Sequence, residues 1–219
     1  MSKKKEWKEG ELVLTFNLQK RQHNQLTPLM IEWQSVEHLV LEYFEEKMVE
    51  DLLQKAIEGI DGWSEEDLKM KFISFVLSLG NLKDGGKVVT FFDKKLVGVV
   101  DGIPLSVKSD FMMAKGFMNV YQTPFFHFQE YKPQINPTGE PMAQLLEAFL
   151  IAQEINRKDG KEIPLYGCEV IGRQWKFVTM EFKTYCVSKA YDCTDRDDFL
   201  KIIAMLRKFR EILETRLLN

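Results

Sequence analysis

The sequence predicts an α/β (α+β) protein in which a mixed β-sheet is flanked by helices. Three observations carry this. Between about Ser35 and Gly80, apolar residues recur at three- and four-residue steps. From Lys87 to Lys132 the pattern changes to β-branched and aromatic runs separated by turn residues. A helical stretch, three more strand-like runs and a closing helical stretch then follow.

In chain order, residues 11–18 (ELVLTFNL) alternate as a strand would, and KRQHNQLTP after them reads as a polar loop. Residues 35–60 place Val36, Leu39, Leu41, Phe44, Met48, Leu52 and Ile57 on one broad helical stripe. DGW breaks it. SEEDLKMKFISFVLSLG, residues 64–80, opens a second helix, with Ser64 as N-cap, Asp67 three positions on, and Gly80 as the stop. NLKDGG is a turn. KVVTFFD, KLVGVVDG, PLSVKSDFMMAKG and TPFFHFQEYKP then read as a meander of strands. INPTGEP is a loop, and residues 140–156 form a helix with Pro141 in its first turn. PLYGCEVIG, QWKFVTME and KTYCVSKAY are further strands. Residues 195–218 form a final helix, acidic first and basic later, as the macrodipole favours. A boundary falls near residue 61. Residues 1–61 read as an N-terminal strand-and-helix extension packed on a core of residues 62–219.

Composition narrows the function. The chain of 219 residues carries 30 Lys and Arg against 33 Asp and Glu, so a generic basic nucleic-acid coat is excluded, though a local basic groove is not. The charged start MSKKKEWKEGE lacks the apolar stretch of a signal peptide, and no apolar run is long enough for a membrane span. Cys168, Cys186 and Cys193 are odd in number and lack CxxC spacing, which supports neither a disulfide framework nor a zinc site. The expected location is the reducing cytoplasm.

The chemistry concentrates in PFFHFQEYKP, residues 124–133. Strand parity puts Phe126, Phe128, Glu130 and Lys132 on one face, and Phe125, His127, Gln129 and Tyr131 on the other. One strand earlier, Asp110 stands among apolar residues, although aspartate is depleted in strands. If the two strands are neighbours, Asp110 and Glu130 converge. Two such carboxylates repel unless a hard cation sits between them, and magnesium suits a few carboxylates, a carbonyl and waters. A lysine beside the ion would activate a water or stabilise developing negative charge, which is what phosphodiester hydrolysis needs.

Asp110 followed by Glu130-Tyr131-Lys132 resembles the PD-(D/E)xK (restriction endonuclease-like) nuclease superfamily. The resemblance covers roughly residues 62–190 and includes the order helix, three-stranded meander, helix, strand. It implies a restriction endonuclease-like fold and a metal-dependent nuclease acting on DNA, with Mg2+ (or Mn2+) as cofactor. Asp110 and Glu130 would be metal-binding carboxylates, the Tyr131 carbonyl another oxygen ligand, and Lys132 the catalytic lysine. Glu65 would be the early glutamate of the first core helix, with Glu66 the runner-up, and Gln144 the glutamine near the site. Ser109 replaces the motif's proline, and Ala148 leaves the Gln-x-x-x-Tyr signature of the RecB-like branch incomplete.

Plainer readings stand beside these. Without Asp110, Glu130 and Lys132 would read as an ordinary same-face ion pair, and Asp110 alone would read as a turn cap; with Asp110 on a neighbouring strand the site is the favoured reading. Glu65 and Glu66 satisfy the helix macrodipole without any function, and Gln144 suits a solvent edge. His127 falls on the opposite face from Glu130, which makes it a packed core histidine. The basic residues of MLRKFREILETR read as a solvated face or as phosphate contacts. The alternative function is a non-catalytic nucleic-acid or protein interaction domain on the same fold. Cutting both strands of a duplex would call for a homodimer.

Overall fold

The computed structural model describes residues 5–36 and 39–218. The chain enters through α1 (Glu9–Phe16), a short strand β1 (Gln19–Gln22), α2 (Pro28–Gln34) and α3 (Tyr43–Gly59). Next comes a nearly continuous helix made of α4 (Glu65–Leu68), a wide π-turn at Lys69–Ile73, and α5 (Ser74–Leu79). The meander is β2 (Val88–Val100), β3 (Ile103–Phe117) and β4 (Val120–Lys132). After α6 (Pro141–Lys158) come β5 (Leu165–Ile171), β6 (Gln174–Glu181), β7 (Thr184–Asp192) and α7 (Arg196–Ile212). The strands form one seven-stranded mixed sheet in the order β1-β7-β6-β5-β4-β3-β2, parallel at β1–β7 and at β4–β5.

Helices cover both faces. Residues of α2, α3, α4, α5 and α7 join one apolar cluster that contains Trp33, Phe72, Phe199 and Phe209. Residues of α1 and α6 join the other, with Leu12, Phe16, Phe128 and Phe149. β4 is therefore covered on both sides, which explains why its later half reads as a continuous buried run. The first 61 residues contribute to both clusters and to the sheet itself. Among the described residues, no helix is long and apolar enough to cross a membrane.

Four expectations are corrected. Residues 11–18 are mostly helix: Leu12 and Phe16, four apart, are buried while Leu14 is 81% exposed, so the apparent alternation is a helical stripe. At the start of α1 the Lys8 amide donates to Glu11 Oε2 at 3.0 Å, and Asn17 in the left-handed region ends the helix. The expected polar loop instead begins with β1, an all-exposed edge strand with no apolar alternation to reveal it. The helix expected over residues 35–60 begins only at Tyr43, as α3; the described residues before it form the connection from α2, and residues 37 and 38 lie outside the described residues. Val36, Leu39 and Leu41 pack against the core from the connection, whereas Phe44 and Ile57 of the expected stripe are 70% and 56% exposed. Finally, KVVTFFD and KLVGVVDG are one strand.

The parity of β4 also needs one correction. Its register with β3 slips between Met113↔His127 and Ala114↔Phe125, so Phe126 is an extra residue. Phe125 consequently stacks on Phe128, and Phe126 joins the cluster that surrounds His127. From His127 to Lys132 the alternation is as expected.

α6 lies very close to the sheet at Gly167 of β5. A Cβ there would sit 2.5 Å from the Phe128 carbonyl and 2.9 Å from the Phe149 ring. Gly167→Ala should therefore destabilise the fold by roughly 1–3 kcal/mol through overpacking. Urea unfolding checks this, and an unchanged midpoint would contradict it.

Candidate functional site

The site forms where β3 and β4 leave their shared ladder. Phe111 pairs with Gln129, so the next step places Asp110 across from Glu130. The ladder is then replaced by a side-chain bond, in which the Tyr131 amide donates to Asp110 Oδ2 at 2.8 Å. The N–H and C=O of one strand residue point toward the same neighbouring strand. The Tyr131 carbonyl is thereby left for the cleft, where Lys132 Nζ donates to it at 2.9 Å.

The start of α4 closes the arrangement. Ser64 caps it through the expected capping box with Asp67. Glu65, one residue in, accepts from Lys132 Nζ at 3.1 Å and from Lys69 Nζ at 2.8 Å. Lys69 also donates to Asp110 Oδ1 at 2.8 Å. Asp110, Lys69, Glu65, Lys132 and Tyr131 thus form a closed hydrogen-bonded ring.

Glu130 stands beside this ring and outside it. It is almost fully buried, and no well-formed hydrogen bond reaches either of its carboxylate oxygens. The neighbouring Ser109 hydroxyl donates instead to the Phe111 carbonyl. Gln144, on the first turns of α6, likewise carries a buried side-chain oxygen without a hydrogen bond. Both residues line a cleft of about 430 Å³ together with Glu65, Lys69, Asp110 and Lys132.

Electrostatics separate the acids. Burial raises the Glu130 pKa well above its usual 4.5, the neighbouring Asp110 adds to this, and Lys132 and Ser109 only partly offset it. For Glu65 burial also acts upward, but hydrogen bonds and charge from Lys69 and Lys132 outweigh it and hold the carboxyl below 4.5. Burial alone would lower the Lys69 pKa, yet its bonds to Asp110 and Glu65 drive it up. Glu65, Asp110 and Glu130 therefore face the ammonium groups of Lys69 and Lys132, while Asp93 lies between Lys69 and Lys108 at the rim. The unmatched carboxyl is Glu130, which must stay protonated or meet another cation.

A divalent ion fits part of this geometry. Glu130 offers oxygens without a well-formed hydrogen bond beside Asp110, and the Tyr131 carbonyl faces the same cleft. Lys69 and Lys132 nevertheless occupy Asp110 Oδ1 and the Tyr131 oxygen. Among the described residues, no group of three or more His, Cys, Asp or Glu is gathered closely enough to hold a metal ion.

All six residues singled out from the sequence (Glu65, Asp110, Glu130, Tyr131, Lys132 and Gln144) reach this corner of the fold. Glu66 is exposed on the cleft rim. His127 is a core residue, bonded to Gln129 at 2.8 Å and tilted against Phe209, with burial pushing its pKa down to about 3. Two basic residues of α7 are engaged in holding the fold: Arg207 donates to the Leu79 carbonyl and Arg210 to the Lys83 carbonyl. Lys69 and Asp93 are the participants the sequence reading missed. Lys69 shows only as an i,i+4 partner of Glu65, a spacing common on any solvated helix. Asp93 looks like a turn residue between two short strands. It is instead within β2, at φ 51°, opposite Asp110 at a gap in the ladder between Phe92↔Phe111 and Lys94↔Ser109.

Because the folded-state pKa of Glu130 is raised, its contribution to stability is full below about pH 4.5 and is lost as pH rises through the folded value. Glu130→Gln should accordingly be more stable than the wild type at pH 8 in chelator, with the advantage fading toward pH 4. Urea midpoints across that range check the sign, and a pH-independent difference would contradict it.

No family model matches the chain, and no curated protein is significantly similar to it. The functional reading rests on the geometry of this cleft.

Proposed function

We propose that the chain is a metal-dependent nuclease that hydrolyses phosphodiester bonds in DNA, with Mg2+ (or Mn2+) held by Asp110, Glu130 and the Tyr131 carbonyl. The observation that carries this is the buried Glu130 carboxyl beside Asp110 and Lys132, whose oxygens make no well-formed hydrogen bond. A fold rarely retains an unpaired buried acid, and a hard cation would turn that cost into a binding contribution. When bound, such an ion supplies Lewis-acid stabilisation of phosphoryl oxygens.

The chain's own residues supply the rest. Lys132 is held by Glu65 and the Tyr131 carbonyl, which aims its ammonium at the cleft, where it can neutralise charge developing on a phosphate. Glu65 keeps both lysines oriented. Gln144 presents its amide to the same space and positions a water or a phosphate oxygen by hydrogen bonding. One centre of this kind cuts one strand, so duplex cleavage would proceed through two copies. The three free, buried cysteines accord with a reducing, cytoplasmic setting.

A second reading has its own observation. The Lys69 ammonium already bridges Asp110 and Glu65 at 2.8 Å each, which suits a non-catalytic domain whose acids are structural. Cleavage of single- and double-stranded DNA with magnesium or manganese separates the two. The wild type should cut, and Asp110→Asn, Glu130→Gln and Lys132→Met should each lose roughly 10²-fold or more. Cleavage that survives these substitutions, or no cleavage by the wild type, would sink the nuclease assignment.

A further inference from the structure

Lys69 is the best-coordinated cation in the cleft. Its Nζ lies 2.8 Å from Glu65, 2.8 Å from Asp110 and 3.8 Å from Asp93. Asp93 in turn is 3.1 Å from Lys108 on the rim and more than half exposed. The two aspartates stand opposite each other at a gap in the β2–β3 ladder, an arrangement that repels unless cations intervene. Asp93 also adopts a left-handed backbone at φ 51°, a conformation uncommon for residues other than glycine. The register is the same on either side of it. The effect of this backbone is to place a second acceptor on the solvent side of the lysine that holds Asp110.

We propose that Lys69 is an exchangeable internal counter-cation: it occupies Asp110 in the metal-free protein and passes to Asp93 when a divalent cation takes its place. This rests on the reading of Asp110 and Glu130 as a metal site and adds a regulatory element to it. Full metal affinity requires Asp110 to release the ammonium. Asp93 lowers the cost of that release because the ammonium moves about one ångström-scale step to a waiting carboxylate, not into bulk water. Lys108, the other partner of Asp93, is exposed and yields it at little cost. Lys69 is thus a positioning residue, acting on the metal through the carboxylate it holds.

The test is calorimetric titration of the full chain with Mn2+, without nucleic acid. Lys69→Met and Lys69→Gln should bind at least about tenfold more tightly than the wild type, the scale of giving up one partly buried charged hydrogen bond. Lys108→Gln removes the same charge from the rim and should change affinity less than threefold. Asp93→Asn should weaken binding several-fold in the wild-type background and not at all in the Lys69→Gln background. The inference is overturned if Lys69→Gln tightens binding no more than Lys108→Gln does, or if the Asp93 effect is the same in both backgrounds. Should neither the wild type nor the Lys69 variants show binding sensitive to Asp110→Asn, the metal site itself falls, and the inference with it. The Gln substitution retains a hydrogen-bonding group, so it reports even if Lys69→Met folds poorly.

Discussion

The hydrogen bond from the Tyr131 amide to Asp110 is the interaction on which the rest of the site depends. Up to Gln129 the backbones of β3 and β4 pair with each other. At Tyr131 a side chain takes over as the acceptor, and that substitution does three things at once. It satisfies an amide that would otherwise be orphaned at the end of the ladder. It fixes one oxygen of Asp110 and leaves the other for Lys69. It also turns the Tyr131 carbonyl toward the cleft, where Lys132 reaches it. A polar cluster forms at a buried strand end because the backbone itself supplies part of its hydrogen bonding.

The apolar scaffold holds this corner rigid. β4 carries Phe128 into one cluster and Tyr131 into the other, so its last turn of side chains cannot shift without disturbing both. The two helices that flank the cleft are anchored separately. α4 is fixed by its capping box and by Phe72 against Phe199, and α6 is fixed by its close seat over Gly167. The catalytic reading and the stability reading of Glu130 conflict: a carboxylate poised for a cation is a liability in the cation's absence. This is the expected pattern where a site is maintained at the expense of local stability.

Much of this was legible from the chain. The cap at Ser64, Pro141 in the first turn of α6, the acidic start of α7 and the β-branched and aromatic runs between turn residues accounted for most helices and strands of residues 62–219. The motif spacing brought Asp110, Glu130 and Lys132 together because antiparallel neighbours with a tight connection have little freedom of register. The errors share a cause. In α1 and in the segment before α3, apolar residues recur at spacings that fit more than one element, and only tertiary burial decides between them. Phe126 defied parity because a bulge leaves no mark in composition. Lys69 and Asp93 were hidden because a lysine on a helix and an aspartate between two apparent strands are unremarkable until the fold sets them on either side of Asp110.

The left-handed backbone at Asp93 has a consequence for how this sequence can drift. Position 93 admits few side chains without strain, chiefly glycine, asparagine and aspartate. The backbone therefore tolerates three residues, whereas the charge tolerates one. Mutational walks through this position would pass the fold's filter in steps that separately silence the carboxylate, so loss of the charge need not be accompanied by loss of the strand. A lineage could in this way retire the electrostatics of the cleft while keeping its architecture intact.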